Sequence, residues 1–223
     1  MINMTWDDFR DAATALLELQ DQLRVTKHPV TKQWNWTWES APTTTRLLHI
    51  YPGYGFLASR NNIRRYQPQP FEDSSAAADD EDVIDDVDPG LLEQPMDPCM
   101  FSYEFHIVYS PIYRLPVLFL QGSHLDGTPL TTSQVQAHLS QQFIDGTKFV
   151  SQDEHPVLGV PFYFVHPCET SACLSLLLEN QAIPCPLQVL LSWMSLLAPW
   201  SAIPVHLPQP PSDIETASIA GVM

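Results

Sequence analysis

Basic residues are scarce in this chain of 223 residues, which has 10 Lys and Arg against 26 Asp and Glu and a formal net charge of −16. Binding to the phosphates of a nucleic acid needs clustered Lys and Arg, so the composition argues against a nucleic-acid ligand. The acidity is also local, because residues 72–97 contain 11 acidic residues and no Lys or Arg. The strong negative charge therefore belongs to one segment and not to the whole fold.

Glycine is scarce too, with 8 residues, and the Gly53-x-Gly55 pair is followed by no third glycine and no helix signal, so it is not a dinucleotide site. No apolar run approaches the ~20 residues of a membrane span. The first residues lack the basic-then-apolar layout of a signal peptide. We therefore predict a cytoplasmic protein, in which four cysteines are free thiols and not a disulfide framework: Cys99, Cys168, Cys173 and Cys185.

The first part of the chain, residues 1–66, is predicted to supply a helix and a hairpin to a single domain. Apolar residues recur at three- and four-residue spacing over residues 5–25, which predicts an amphipathic helix. Residues 34–38 alternate Trp with polar residues and predict a strand, and residues 46–57 are a second strand candidate. Residues 67–98 are acidic and contain several prolines, so we expect a disordered insertion there.

The second part, residues 99–200, is predicted to carry the catalytic half of the same domain, followed by a mobile Pro-rich tail at 201–223. Residues 101–121 predict an antiparallel hairpin, with His106 on its surface or facing its partner strand. A capping box starting at Thr131 predicts a helix to about Ile144. A further helix is predicted from Pro186 to Ala198, ended by Pro199 and buried because it is apolar almost all round.

The sharpest local change in chemistry lies at Cys168. An apolar run at residues 161–165 predicts a buried strand, and Glu169 and Thr170 are typical of the first turn of a helix. A thiol at the start of a helix is near free backbone N–H groups and the positive end of the helix dipole, which lower its pKa. Pro167 fixes the backbone φ angle of the approach. We therefore interpret Cys168 as a candidate nucleophile.

The residues by themselves leave other roles open. A metal site could be drawn from His155, His166, Cys168 and Cys173, but their spacing does not match a structural zinc pattern. A thiol hydrolase would need a histidine base beside Cys168. Five histidines are available for that role: His106, His124, His138, His155 and His166. Most free cysteines are buried and inert, and we expect this of Cys99, Cys173 and Cys185. If Cys168 were inert as well, the chain would be a binding module without catalytic activity.

A longer pattern around the same cysteine resembles a known family. Residues 154–168 read EHPVLGVPFYFVHPC and resemble the active-site stretch of the autophagy conjugating enzymes, in particular the autophagy-related protein 10 family. Three other stretches resemble that family: YEFHIVYS at 103–110, YRLPVL at 113–118 and LDGTPL at 125–130. The resemblance covers about residues 100–200. It implies an α+β fold, a variant of the ubiquitin-conjugating fold in which helices flank an antiparallel sheet.

The resemblance also implies a function that uses no cofactor. Cys168 matches the family's catalytic cysteine, which receives a ubiquitin-like modifier, autophagy-related protein 12, as a thioester from the activating enzyme, autophagy-related protein 7. It then passes the modifier to a lysine of autophagy-related protein 5. His166 and Pro167 would shape the supporting loop. General ubiquitin-conjugating enzymes carry an Asn after His-Pro that stabilises the oxyanion, and this chain does not. The candidate donors here are backbone N–H groups or tyrosine hydroxyls: Glu169, Thr170, Tyr109 and Tyr113.

Overall fold

A computed structural model describes residues 3–29, 34–66, 99–140, 150–179, 184–201 and 205. The predicted disordered insertion at 67–98 and most of the predicted mobile tail at 201–223 lie outside these residues. In chain order the helices and strands are α1 (Trp6–Val25), β1 (Thr37–Ser40), a 3-10 helix (Arg46–His49), β2 (Gly55–Arg65), β3 (Met100–Ser110), β4 (Leu115–His124), α2 (Thr132–Ser140), β5 (Val150–Glu154), β6 (Pro161–Val165), α3 (Pro167–Leu177) and α4 (Pro186–Ser201).

The six strands form one antiparallel sheet in the order β1-β2-β3-β4-β6-β5. Helix residues from α1, α2, α3 and α4 contribute to the same buried core as the strands. The predicted fold class, an α+β protein with an antiparallel sheet flanked by helices, is confirmed. Among the described residues, no helix is long and apolar enough to cross a membrane.

Helix α1 follows from local sequence. Thr5 and Asp8 form a capping box, in which the Thr5 hydroxyl accepts the Asp8 N–H at 3.1 Å and the Asp8 carboxylate accepts the Thr5 N–H at 2.9 Å. Phe9 and Leu16 belong to its buried face. The helix ends at Val25, as the stop signal at His28-Pro29 predicts. The predicted helix over residues 5–25 is confirmed.

The first hairpin differs from its prediction. Strand β1 begins at Thr37, so Trp34 and Trp36 precede it, although both indoles are buried in the core. The second predicted strand, at 46–57, is wrong in its first part, where Arg46–His49 forms a 3-10 helix and β2 begins only at Gly55. Apolar residues too closely spaced for strict alternation fit a helical turn as well as a strand, and tertiary packing decides between them. The hairpin itself is confirmed, because Ser40 pairs with Gly55.

Two further predictions near the chain's second half are corrected by the fold. His106 is fully buried, because its ring packs against His155 and Phe162 on the face of the sheet opposite α1. Helix α4 does not end before Pro199 but continues to Ser201. Proline removes one backbone hydrogen bond from a helix, and the last turn tolerates that loss where other contacts hold it. The prediction that α4 is largely buried is confirmed by Leu190 and Trp193, both at 1% exposure or less.

A buried amide joins α1 to the segment that enters β1. The Gln20 side chain donates to the Trp36 carbonyl at 3.0 Å, and its Oε1 accepts the Trp36 N–H at 2.8 Å. Both backbone groups of Trp36 therefore depend on one side chain that is 2% exposed. Apolar periodicity cannot reveal such a residue, because Gln20 occupies a core position of the helix.

We expect Gln20→Leu to lower the free energy of unfolding by ~2–4 kcal/mol, since it leaves a buried N–H and a buried carbonyl of Trp36 without partners. The measurement is urea denaturation followed by circular dichroism. Gln22→Leu, on the exposed face of the same helix, is the matched control and should change stability little. Equal effects of the two substitutions would contradict the role given to Gln20.

Candidate active site

The candidate site lies where β6 passes into α3. Strand β6 ends at Val165, and α3 begins at Pro167, so a single residue, His166, connects them. Pro167 takes the first helical position, where its missing N–H costs nothing and its fixed φ suits the helix. Cys168 is the second residue of α3. The strand–helix junction predicted at Cys168 is confirmed for the backbone, whereas the side chains of Cys168 and Glu169 lie outside what the structure describes.

The two predicted backbone donors, the N–H groups of Glu169 and Thr170, differ in their positions in the first turn of α3. The N–H groups of the first helical residues have no carbonyl one turn earlier to bond to, and this applies to Cys168 and Glu169. Thr170 is the fourth residue of α3, so its N–H joins the regular helix ladder. The Thr170 hydroxyl is also engaged, donating to the Pro167 carbonyl at 3.0 Å in a buried position. Glu169 therefore remains a candidate backbone donor, and Thr170 does not.

Tyr113 lies beside the junction. It belongs to the turn between β3 and β4, where its ring meets that of His166 edge-on with 5.7 Å between centroids. Its hydroxyl is 3.5 Å from His166 Nε2, and the side chain is 41% exposed. The turn is fixed by two backbone bonds, from Arg114 N to the Ser110 carbonyl at 2.8 Å and from Met4 N to the Arg114 carbonyl at 2.9 Å. Tyr113 is thus a hydroxyl donor placed near the start of α3.

Tyr109, the other predicted hydroxyl donor, serves the core instead. Its side chain is buried, and its hydroxyl donates to the Met4 carbonyl at 3.0 Å. Its ring packs against Trp6 and Phe9 of α1, because odd-numbered residues of β3 face the helices. We therefore correct the expectation that Tyr109 is available as an oxyanion donor.

The other histidines that a hydrolase could use are engaged elsewhere. His106 and His155 are fully buried and bonded to each other, with 3.1 Å between Nδ1 and Nε2. His138 Nδ1 is 2.6 Å from the Tyr103 hydroxyl, and His124 Nε2 is 3.4 Å from the Gln134 amide. Of the five histidines, the structure brings only His166 to the start of α3.

The remaining cysteines and the metal hypothesis are also tested in part. Cys173 and Cys185 are exposed, so the expectation of buried thiols is wrong for both, because each lies on the solvent side of its helix or helix entry. Cys99 is half-buried. Within the described ranges, no three His, Cys, Asp or Glu side chains are grouped so that they could hold a metal ion.

Comparison with known proteins identifies the family. The family model of the autophagocytosis associated protein, active-site domain, matches residues 8–208. The chain therefore belongs to this family, and its class is that of the E2-like proteins of autophagy. More particularly, it is similar to the ubiquitin-like-conjugating enzyme ATG10 of Homo sapiens, with 33% identity over 48% of this chain and 56% of that protein, and to the ATG10 of Arabidopsis thaliana, with 30% identity over 73% and 77%.

Two further likenesses are more distant. The autophagy-related protein 3 of Dictyostelium discoideum is 30% identical over 36% of this chain and 23% of that protein. A solved structure described as "Crystal structure of Autophagic E2, Atg10" matches with a TM-score of 0.46 and 13% identity, covering 92% of this chain and 100% of that one. The matched region thus spans little more than half of the human relative and about three quarters of the Arabidopsis one.

His155, at the start of the loop before β6, gives the stability of the protein a defined pH dependence. Burial lowers the pKa of His155 to about 3, and its Nδ1 accepts N–H groups from Val157 and Leu158. The folded pKa is below the unfolded value of 6.5, so the stabilisation by neutral His155 is complete above pH 6.5 and is lost as the pH falls towards 3. Burial also lowers the pKa of His138 to about 4, which acts in the same direction.

We expect the free energy of unfolding to fall by roughly 1–2 kcal/mol between pH 7 and pH 5 on account of His155. Urea denaturation at several pH values measures this slope. His155→Gln removes the titrating group and should make the slope shallower. A His155→Gln slope as steep as the wild type would refute the assignment.

Proposed function

We propose that this chain is an E2-like conjugating enzyme that carries a ubiquitin-like modifier as a thioester on Cys168. The observation that carries the proposal is the position of Cys168 at the second residue of α3, directly after β6 and the fixed turn of Pro167. This arrangement lies within the region that matches the family's active-site domain. The helix dipole and the free N–H groups of the first turn favour the thiolate over the thiol.

Two acyl transfers make up the reaction. The Cys168 thiolate attacks the carbonyl carbon of a modifier that is already a thioester of the activating enzyme, and the thiolate of that enzyme leaves. The amine of an acceptor lysine then attacks the new thioester, the Cys168 thiolate leaves, and the amine loses its proton to form an amide. Exchange between two thioesters is nearly isoenergetic, so this chain needs no cofactor of its own.

Both transfers pass through a tetrahedral intermediate whose oxygen carries negative charge. Donors placed at that oxygen contribute strongly to catalysis, typically 10²–10³-fold for a single donor. We propose that the Glu169 N–H and the Tyr113 hydroxyl supply such donors here. The position of Glu169 in the first turn of α3, where the N–H has no helical partner, supports the former, and the 3.5 Å contact with His166 supports the latter. Tyr113 would thereby replace the Asn that this chain lacks after His166-Pro167.

The partners follow from the family likeness. We propose that the activating enzyme is autophagy-related protein 7, the modifier autophagy-related protein 12 and the acceptor autophagy-related protein 5, and that the reaction takes place in the cytoplasm. The likeness to the ATG10 proteins covers as much as 73% of this chain, whereas the likeness to autophagy-related protein 3 covers 36%. The longer likeness supports this set of partners.

We expect a reductant-sensitive adduct when the chain is mixed with the activating enzyme, the modifier and ATP and then separated by gel electrophoresis. Cys168→Ala should abolish the adduct, and Cys168→Ser should convert it into a reductant-resistant ester. Cys173→Ala, at an exposed thiol of the same helix, is the matched control and should load normally. An adduct that survives Cys168→Ala, or no adduct with an active upstream enzyme, would reject the proposal.

Tyr113→Phe tests the hydroxyl donor. We expect the loaded enzyme to transfer its modifier to free lysine at least about tenfold more slowly, because the oxyanion loses one donor. Free lysine as acceptor removes any effect of partner docking from the measured rate. Tyr163→Phe is the control, since it deletes another tyrosine hydroxyl, the one bonded to Thr132 Oγ1 at 2.9 Å. A wild-type rate for Tyr113→Phe would leave the backbone as the donor.

A further inference from the structure

A buried polar cluster lies at the other end of β6 from Cys168. Its innermost member is His155, which is 0% exposed and immediately precedes the loop at residues 156–160. The His155 Nδ1 accepts the N–H groups of Val157 and Leu158, each at 3.2 Å. The backbone closes the same loop, because His155 N donates to the Val160 carbonyl at 2.8 Å. His155 therefore organises the loop that leads into β6.

The contacts fix the tautomer of both histidines. Because His155 Nδ1 accepts two N–H groups, it carries no proton, and in the neutral ring the proton lies on Nε2. Nε2 of His155 is 3.1 Å from Nδ1 of His106, so it donates to that atom. His106 must then carry its own proton on Nε2, which lies 2.7 Å from the Glu104 carboxylate. Every donor in this chain of hydrogen bonds meets an acceptor.

The chain of hydrogen bonds ends on charged groups of the first two strands. Arg60 Nε of β2 is 2.6 Å from the Glu104 carboxylate, and the Arg60 guanidinium also pairs with Glu39 of β1. The hydrogen bond from His106 lowers the pKa of Glu104, which favours the carboxylate that the cluster requires. We call Glu39, Arg60, Glu104, His106 and His155 the histidine relay. It connects β1, β2 and β3 to the loop before β6.

Strand β6 pairs with the edge strand β5 at five positions but has few backbone pairs towards the centre of the sheet. It pairs with β4 at two positions, Phe119↔Phe164 and Leu120↔Tyr163, and its other neighbour, β5, is the outermost strand. Apart from the relay, the Gln121 side chain donates to the Pro161 carbonyl at 2.8 Å at the same end. The position of β6 fixes where α3 begins, because a single residue separates them.

We propose that His155 and His106 are positioning residues for the nucleophile, holding β6 in place so that Cys168 meets the incoming thioester in the productive geometry. The inference rests on the proposed function, which it deepens by two residues that touch neither substrate nor thiol. Neither histidine acts as a base, because the lone pair of each unprotonated ring nitrogen already accepts hydrogen bonds. His155 Nδ1 accepts the loop N–H groups, and His106 Nδ1 accepts the N–H of His155. A misplacement of about 1 Å at a reacting centre costs on the order of 100-fold in rate.

The tautomers themselves are tested by NMR on the ¹⁵N-labelled full chain. Long-range ¹H–¹⁵N spectra at pH 7 should show His155 and His106 as neutral Nε2–H rings, and His155 should not titrate between pH 5.5 and pH 8. A neutral Nδ1–H ring at either buried position, or titration of His155 in this pH range, would overturn the relay.

The positioning role is tested by two matched pairs of variants in the thioester assay. His155→Asn retains an acceptor for the loop N–H groups but cannot reach His106, so we expect loading to slow by about tenfold or more. Leu16→Ala, on the buried face of α1, is the control for lost stability and should load at the wild-type rate at a temperature where it is folded. His106→Asn keeps an acceptor at the Nδ1 position and should retain most of the rate, whereas His106→Leu should not.

Each outcome separates the two proposals. Wild-type loading by His155→Asn, equal slowing by Leu16→Ala, or equal rates for the two His106 variants would overturn the positioning role while leaving Cys168 as the carrier. Absence of any adduct from the wild-type chain would overturn the proposed function and, with it, the positioning role. Slow loading of His155→Asn and His106→Leu alone, with the expected NMR spectra, would establish both.

Discussion

The pairing of β3 with its two neighbours is the constraint on which the rest of the structure depends. β3 pairs with β2 from Phe56↔Val108 to Arg65↔Met100 and with β4 along its length from Phe101 to Ser110. Alternation along a strand sends successive side chains to opposite faces, so this one strand serves two separate environments. Tyr109 packs with α1, and His106 on the other face meets the loop before β6.

These two environments act on the candidate site from different directions. On the helix side, the segment before α1 fixes the β3–β4 turn through Met4 and Arg114, and that turn carries Tyr113 to His166. On the second face, His106 fixes the loop before β6 through His155. Strand β6 is thereby located near both of its ends, although it is short and next to the edge of the sheet. Both contacts thereby help to fix the position of the start of α3.

Local sequence predicted those elements whose signal is short-range. The helix over residues 5–25, the alternation of β3 and the strand–helix junction at Cys168 each reflect physics within a few residues, and each prediction holds. The strand predicted at residues 46–57 was wrong in its first part, because a short apolar run fits a helical turn as well as a strand. The predicted end of α4 before Pro199 was wrong, because a proline near the end of a helix removes only one backbone hydrogen bond and the helix continues to Ser201.

The sequence by itself determined that a cysteine follows a strand at the first turn of a helix, because the apolar run at residues 161–165, Pro167 and the polar turn are all local signals. Two tyrosines, Tyr109 and Tyr113, were named as candidate oxyanion donors without a ranking between them. Only the tertiary structure decided that Tyr113 lies beside His166 while Tyr109 is bonded to Met4. The pairing of His106 with His155 could not be predicted from the sequence either. The two are 49 residues apart and meet only through the register of the sheet and the fold of a loop over it.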